Sequence, residues 1–267
     1  LIFVPIDGGF KYLRTQRLGL HLLRGFGIVI ANLCFFTALI SMPLAEVKAI
    51  FFIAPLLITA LSVFLLGEKV GLRSWIAVLV GLLGVMIMLR PGSGFSNPAS
   101  ILPLVAALAY ALVQIMTRKI GETENASTMA FYIQLNFVAV SGLMGLIFGD
   151  GHLADPSQPT LNYLFRPWTV PSWGDGMIII GIGLINGLAT YFISQAYRIS
   201  KAGIVAPFEY VALPCSIFWS ITVFGDWPDI VSWLGIVLIA GAGLFIAYSE
   251  TVQGRKNVLY GPMPRNR

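Results

Sequence analysis

Apolar residues along this chain gather into long runs separated by short polar connectors. A helix needs about 20 residues, at a rise of about 1.5 Å each, to cross the hydrocarbon core of a bilayer. Eight runs meet or approach that length: residues 22–42, 45–66, 74–90, 99–117, 128–149, 176–197, 202–224 and 230–249. Open strands would leave their backbone groups unsatisfied in lipid. The pattern therefore predicts an all-α membrane protein, a multi-helix bundle with about eight complete transmembrane helices.

Composition agrees with a chain that lies in lipid. Hydrophobic residues make up 57% of the 267 positions and charged residues only 11%, whereas soluble domains carry about 25% charged residues. The net charge of +5 would suit nucleic acid. However, the basic residues lie in connectors and form no basic stripe, so we expect no nucleic-acid partner. Residues 150–175, rich in proline and aspartate, are predicted to form a structured external loop.

Most of the basic residues fall in one set of alternate connectors. These residues are Lys11, Arg14, Arg17, Arg24, Lys69, Arg73, Arg118, Lys119, Arg198, Lys201, Arg255, Lys256, Arg265 and Arg267. The positive-inside rule assigns this side to the cytoplasm. We therefore expect a multi-pass protein of the cell membrane, the inner membrane if the source is a bacterium, with the lipid bilayer as its partner and a cytoplasmic C-terminus.

The second and third runs repeat in the seventh and eighth, at a spacing of 158 residues. Each pair is joined by the pattern Gly-acid-x5-Ser-Trp, which begins at Gly67 in the first copy and at Gly225 in the second. An odd number of spans separates the copies, so their topology is inverted. Inverted repeats around a site at the bilayer midplane are characteristic of secondary transporters. The alternative is an old duplication retained for stability.

We call the Gly-acid-x5-Ser-Trp pattern the seam of each repeat. The seam resembles the drug/metabolite transporter superfamily, EamA branch, and so do the segments Leu89-Arg90-Pro91-Gly92 and Pro207-Phe208-Glu209-Tyr210. The resemblance covers nearly the whole chain. It implies ten helices in two five-helix halves, of which the eight runs would be the third to the tenth. It also implies transport of amino acids or related compounds, frequently outward. The implied limits are a first repeat at 1–118 that lacks its N-terminal part, a second repeat at 119–250 and a cytoplasmic polar tail at 251–267.

Glu209 is the foremost candidate site residue. A charge inside a span costs about 2.5–3.5 kcal/mol on insertion scales, so its presence needs a reason. Glu209 lies about 12 Å from the cytoplasmic end of its run. Pro207 lacks a backbone donor, which predicts a local break in the helix. Glu209 either binds a cationic group of the substrate or carries a coupling proton; alternatively, it only pairs with a neighbouring helix.

Two other charges lie in the second run. Glu46 and Lys48 are two residues apart and cannot face each other across a helix surface. We expect Glu46 to face the substrate or proton pathway and Lys48 to act as a gate or anchor. Arg198 is a further gate or anchor candidate, for which the alternative is a topology signal.

Neutral polar residues inside the runs complete the candidate pathway. They are Tyr210, Asn186, Asn32, Tyr110, Gln114 and Gln195. For each of them the alternative is a hydrogen bond between helices. Gly183 and Gly187 have the spacing of close helix packing, either within the chain or in a homodimer.

The sequence contains few features of an enzyme. HExxH and phosphate-binding loop motifs are absent, and the two cysteines lie inside apolar runs. We expect no catalytic residue, metal or cofactor. The prediction is a secondary active transporter of a small metabolite, an amino acid or related compound moved outward by alternating access. The alternatives are an uptake permease for a vitamin-like or nucleoside-like solute, and an intramembrane enzyme or non-transporting subunit.

Overall fold

A computed structural model describes residues 15, 17–68, 71–89, 98–225 and 227–260. Every regular element in these ranges is helical. The α-helices are α1 (Leu18–Ala38), α2 (Leu44–Phe51), α3 (Ala54–Leu66), α4 (Leu72–Leu89), α5 (Ile101–Ile120), α6 (Ala126–Phe148), α7 (Pro159–Phe165), α8 (Trp173–Ile199), α9 (Ala202–Val205), α10 (Ala212–Phe224) and α11 (Ile230–Tyr260). Segments of 3-10 helix cover Pro98–Ser100 and Ala206–Val211.

The helices confirm the prediction of a helical membrane bundle. Five spans are long and apolar enough to cross a membrane: Leu18–Ala38, Glu46–Leu66, Ile101–Ile120, Ala126–Phe148 and Trp173–Ile199. The apolar helices Trp75–Gly84, Cys215–Phe224 and Ile230–Phe245 are shorter. Each of the eight predicted runs therefore contains an apolar helix.

Two of the spans are interrupted near their middle. In the first, α2 ends at Phe51 and α3 begins at Ala54, with Pro55 in its first turn. Proline fits that position because the first helical N–H groups have no partner within the helix. In the second, α9 ends at Val205 and a 3-10 segment follows. The break predicted from Pro207 is confirmed.

The two interrupted spans share their boundaries as well as their sequence pattern. The starts of α2 and α9, the ends of α3 and α10, and the starts of α4 and α11 are all separated by 158 residues. Gly67 and Gly225 follow the paired spans with φ of 67° and 71°. A residue without a Cβ adopts this left-handed conformation at the end of a helix with little strain. The two repeats thus have the same local fold.

The helices that follow the two seams, α4 and α11, pack against each other. A Cβ on Gly84 of α4 would lie 3.0 Å from the Gly235 carbonyl oxygen and 3.0 Å from Ile239 Cγ1, both on α11. One turn earlier, a Cβ on Gly81 would lie 3.6 Å from Ala242 Cβ. Small residues thus bring the two backbones close together and form part of the apolar core.

A buried cation joins α1 to α6. The guanidinium of Arg24, fully inaccessible to solvent, donates through Nη2 to the Met129 carbonyl oxygen at 2.6 Å. The backbone of the next residue, Gly25, lies directly against the Asn136 side chain. These contacts hold α1 against the first half of α6, beside α5.

The segment between α6 and α8 is ordered, as predicted. It contains α7, and the Trp168 backbone N–H donates to the Gly149 carbonyl oxygen at 2.9 Å. Hydrogen bonds from Ser157 hold the pKa of Asp155 below its ordinary value. These local bonds explain how a segment with few buried residues keeps a defined shape.

One packing prediction is wrong. A Cβ on Gly183 or Gly187 of α8 would meet no atom within 4 Å among the described residues. The two glycines therefore do not mediate close packing inside the chain, because α8 turns this face away from its neighbours. Their role in a homodimer stays a prediction.

Candidate functional site

Glu209 lies where three parts of the fold meet. It occupies the 3-10 segment between α9 and α10, and its side chain is half-buried. Its Oε1 accepts a hydrogen bond from the Tyr197 hydroxyl at 2.7 Å and another from the Tyr110 hydroxyl at 3.2 Å. Tyr197 belongs to α8 and Tyr110 to α5. Two aromatic hydroxyls from different helices thus orient one carboxylate inside the bundle.

The tyrosine on α5 is itself fixed on two sides. The Gln114 side chain, one helical turn further along α5, is buried and hydrogen-bonds to the Tyr110 side chain. The ring of Phe51, the last residue of α2, lies 5.4 Å from the Tyr110 ring between centroids. The structure therefore brings together three of the candidate residues, Glu209, Tyr110 and Gln114, and adds an aromatic wall.

Lys48 enters the same region from α2. Its Nζ lies 4.9 Å from the ring centroid of Phe35, 5.6 Å from that of Phe51 and 5.8 Å from that of Phe52. These are distances at which an ammonium is attracted to the face of an aromatic ring. The Phe51 ring also lies beside the ring of Tyr110, whose hydroxyl donates to the Glu209 carboxylate. The region thus holds one charge of each sign among aromatic rings.

A groove between α2 and α10 opens beside Lys48. Its volume is about 580 Å³, within the range of small-molecule sites. It is lined by Leu44, Lys48, Ala212, Cys215, Ser216, Trp219, Val223 and Phe224. The lining is almost entirely apolar, with Lys48 as its charged member. A solute with a flat apolar body and a few polar groups matches that lining.

The seam of the first repeat contacts the interrupted span of the second. The Glu68 carboxylate accepts from the backbone N–H of Ala202 at 3.2 Å through Oε1 and from that of Gly203 at 3.4 Å through Oε2. These are the first two N–H groups of α9, which have no partner within the helix. The acidic residue of the seam therefore caps a helix of the other repeat. Asp226, the corresponding residue of the second seam, lies outside the described residues.

Arg198 forms a hydrogen-bond network near the same end of the bundle. Its Nη2 donates to Asn125 Oδ1 at 3.3 Å, and its Nη1 donates to Gln195 Oε1 at 3.4 Å. The Arg198 carbonyl oxygen accepts from Arg118 Nη1 at 2.7 Å. This network ties the C-terminal end of α8 to α5 and to the α5–α6 connector. Gln195 is thus paired with Arg198, away from the Glu209 carboxylate.

Four further residues of the predicted pathway are Asn32, Asn186, Glu46 and Tyr210. Asn32 Nδ2 donates to the Ile28 carbonyl oxygen of its own helix at 2.9 Å, and its side chain lines a separate cavity of about 310 Å³. Asn186 is exposed on α8. Glu46 is half-buried in the first turn of α2. The side chain of Tyr210 lies outside the described part of the structure. The roles of all four stay predictions.

Sequence reasoning overlooked two residues that the structure makes prominent. Tyr197 is fully buried and makes the shortest described hydrogen bond to Glu209. Its only signal in the sequence is a polar tip within an apolar run, which ordinary helix packing also produces. Glu68 was recognised as part of the seam, but its capping role depends on contact with residues more than 130 positions away.

Known proteins share sequence similarity with this chain. Residues 1–90 and 97–248 match the EamA-like transporter family. A riboflavin transporter of Vibrio cholerae serotype O1 is 32% identical over 249 residues, which cover 91% of this chain and 76% of that protein. An S-adenosylmethionine uptake transporter of Rickettsia prowazekii is 27% identical over 242 residues, which cover 91% and 76%.

Two further similarities extend the comparison. The pseudopaline exporter CntI of Pseudomonas aeruginosa is 25% identical over 256 residues, which cover 95% of this chain and 83% of the exporter. A crystal structure of another protein, 19% identical, superposes with a TM-score of 0.65 over 96% of this chain and 83% of that one. That structure shares the fold.

The chain belongs to the EamA-like transporter family. It is a multi-pass membrane protein and a small-molecule transporter. The resemblance drawn from the seam at Gly67 and Gly225 is thereby confirmed.

Proposed function

We propose that the chain carries a flat, vitamin-like or nucleoside-like solute into the cell by alternating access, with Glu209 at the polar centre of the site. The observation that carries this proposal is the Glu209 carboxylate at the helix break, held by Tyr110 and Tyr197 beside an aromatic wall. A flat solute stacks on such a wall, while the carboxylate accepts hydrogen bonds from its N–H or O–H groups.

The inverted repeat supports the alternating mechanism. Two halves with the same local fold and opposite orientation can exchange conformations, so that a site between them opens to either face. The groove between α2 and α10 gives one face access toward Lys48. Toward the other face, Glu68 caps α9 and Arg198 joins α8 to the α5–α6 connector. Contacts at that end must break and re-form in each cycle.

The names of similar proteins support the solute class. One similar protein is a riboflavin transporter and another is an S-adenosylmethionine uptake transporter. Both compounds join a flat heteroaromatic ring system to a polar chain, as the groove and the carboxylate require. We place the chain in the bacterial inner membrane with its C-terminus in the cytoplasm, on the distribution of basic residues.

Outward transport of an amino acid or related compound is the second candidate. The similarity to a pseudopaline exporter favours it, and Glu209 would then bind the ammonium group of the solute. In either direction Glu209 is our candidate for a coupling proton, because a carboxylate in a membrane interior exchanges its charge for a proton or a cation at low cost.

Solute counterflow in proteoliposomes tests the proposal. Vesicles loaded with unlabelled riboflavin or S-adenosylmethionine are diluted into the same compound bearing a label. We expect transient accumulation of label with the wild type and a loss of at least about tenfold with Glu209→Gln. Glu122→Gln, at an exposed position of the α5–α6 connector, is the matched control and retains activity. Absence of counterflow with both compounds contradicts the proposed solute class.

A whole-cell measurement then assigns direction. Cells that cannot make riboflavin are grown on limiting external riboflavin with and without the protein. An uptake permease lowers the concentration that supports growth, whereas an exporter raises it. The same cells carrying Glu209→Gln provide the baseline.

A further inference from the structure

Lys48 is the charged residue in the described lining of the groove between α2 and α10. It projects from α2 into the groove, and its ammonium lies over the rings of Phe35, Phe51 and Phe52. An anchor at the membrane surface would extend its ammonium to water and headgroups instead. The Lys48 ammonium lies among aromatic rings, so a role as an anchor at the membrane surface does not explain its position.

The second observation is that one ring connects Lys48 to the Glu209 site: Phe51 lies under the Lys48 ammonium and beside the ring of Tyr110, whose hydroxyl donates to Glu209. A single charge inside a bundle is costly, and a nearby charge of opposite sign offsets part of that cost. The carboxylate already accepts from two tyrosine hydroxyls, at 2.7 Å and 3.2 Å. Hydrogen bonds orient the negative charge but do not neutralise it. The Lys48 ammonium supplies the opposite charge.

The internal duplication does not explain the pair of Lys48 and Glu209, because neither charge has a charged counterpart in the other repeat. At the repeat spacing, the counterpart of Lys48 is Ala206 and the counterpart of Glu209 is Phe51. Each interrupted span therefore contributes one member of this pair, at positions that are not equivalent. The counterpart Phe51 instead contributes a ring that touches the Tyr110 ring. The shared scaffold thus carries an asymmetric charge arrangement.

From these contacts we infer that Lys48 determines the charge selectivity of the site: it is the built-in counterion of Glu209 and makes the empty site neutral. This inference rests on the proposed function. A neutral site accepts a neutral or zwitterionic solute without leaving a net charge inside the bundle. A solute with an additional positive charge meets the repulsion of Lys48 as well as the attraction of Glu209. Loss of Lys48 therefore favours cations.

A pair of nearly isosteric probes isolates charge from shape. S-adenosylmethionine carries one more methyl group and one more positive charge than S-adenosylhomocysteine. Dissociation constants of both are measured on the purified protein, and their ratio is compared between variants. We expect Lys48→Met to shift the ratio toward S-adenosylmethionine by at least about tenfold, because two charges in a partly buried site interact strongly. Glu209→Gln shifts it in the opposite direction.

Lys48→Arg is the matched control, since it keeps the charge and a long side chain. Its ratio should stay within about threefold of the wild-type value, a difference smaller than one charge produces. A ratio that Lys48→Met leaves unchanged overturns the inference. Equal weakening of both probes by Lys48→Met also overturns it, because that result indicates packing alone.

A measurement without ligand separates this inference from the proposed function. Thermal unfolding is followed for wild type, Lys48→Met, Glu209→Gln and the double variant. If Lys48 is the counterion, the double variant is more stable than the sum of the two single effects predicts. Additive effects overturn the inference. If neither probe binds the wild type, the proposal of a nucleoside-like solute fails, and the thermal cycle alone decides the role of Lys48.

Discussion

The cap that Glu68 places on α9 gives a quantitative prediction, because it is the described contact in which one repeat holds the interrupted span of the other. Glu68→Ala removes both acceptors, at 3.2 Å and 3.4 Å from the N–H groups of Ala202 and Gly203. Both distances exceed the usual 2.9–3.0 Å, so each bond contributes toward the lower end of about 0.5–1.5 kcal/mol. Together they stabilise the fold by about 1–2 kcal/mol, in line with helix caps generally.

The expected change in thermal stability follows from that free energy. For a chain of this size, 1 kcal/mol shifts the midpoint of unfolding by about 2–4 °C. Glu68→Ala should therefore lower the Tm of the protein in detergent by about 3–6 °C. Glu68→Gln keeps an acceptor oxygen but loses the charge, and should lower the Tm by about half as much.

The control for this prediction is Glu122→Ala, which removes the same charge from an exposed position of the α5–α6 connector. An exposed substitution of this kind changes stability by less than about 0.5 kcal/mol. If Glu68→Ala and Glu122→Ala unfold at the same temperature, Glu68 does not cap α9 in solution and our account of the seam is wrong.

Two further predictions concern the site and the packing between repeats. Tyr197→Phe removes the 2.7 Å hydrogen bond to Glu209 and should weaken solute binding about three- to tenfold, since one such bond contributes about 1 kcal/mol; an unchanged dissociation constant contradicts the role of Tyr197. Gly84→Leu forces a side chain into space where a Cβ already lies 3.0 Å from α11. It should sharply reduce the yield of folded protein in size-exclusion chromatography, whereas Gly142→Leu, where a Cβ meets nothing within 4 Å, should not; equal yields contradict the packing of α4 on α11.

The number and limits of the spans were predictable because a bilayer imposes them. Each run must satisfy its own backbone hydrogen bonds over a fixed thickness, so hydropathy and length alone locate the helices. The repeat seam was predictable for a similar reason. Gly67 and Gly225 adopt a backbone conformation that favours glycine, so both copies of the pattern keep a glycine at this position.

The site was only partly predictable, because its members come from helices distant in sequence. Glu209 was predicted from the cost of a charge within a span, and Tyr110 and Gln114 from their polarity inside an apolar run. The hydrogen bond from Tyr197 could not be predicted, since it depends on how α8 packs against the 3-10 segment. Likewise, the enclosure of Lys48 by three phenylalanines depends on the approach of α1 to α2.

The interruption of the first span was also overlooked, although Pro55 marks it. A proline in a long apolar run is compatible with a kink, a break or a helix start, and hydropathy does not distinguish these. The equivalent break in the second repeat was predicted from Pro207. The two prolines are not at equivalent positions, because the distance from Pro55 to Pro207 does not match the repeat spacing of 158 residues. Recognising both breaks required the helix boundaries themselves.

The central claim is that solute binds in the groove between α2 and α10 that opens beside Lys48, and a native cysteine reports on it directly. Cys215 is exposed and lines this groove, whereas Cys34 lies on α1. In the Cys34→Ser background, the rate at which a maleimide labels Cys215 is measured with and without riboflavin or S-adenosylmethionine.

A solute at ten times its dissociation constant should slow labelling of Cys215 about tenfold, because only the unoccupied protein reacts. Labelling of Cys34 in the Cys215→Ser background should not change, and Glu209→Gln should abolish the protection of Cys215. Full-rate labelling of Cys215 under solute concentrations that saturate transport would contradict the account.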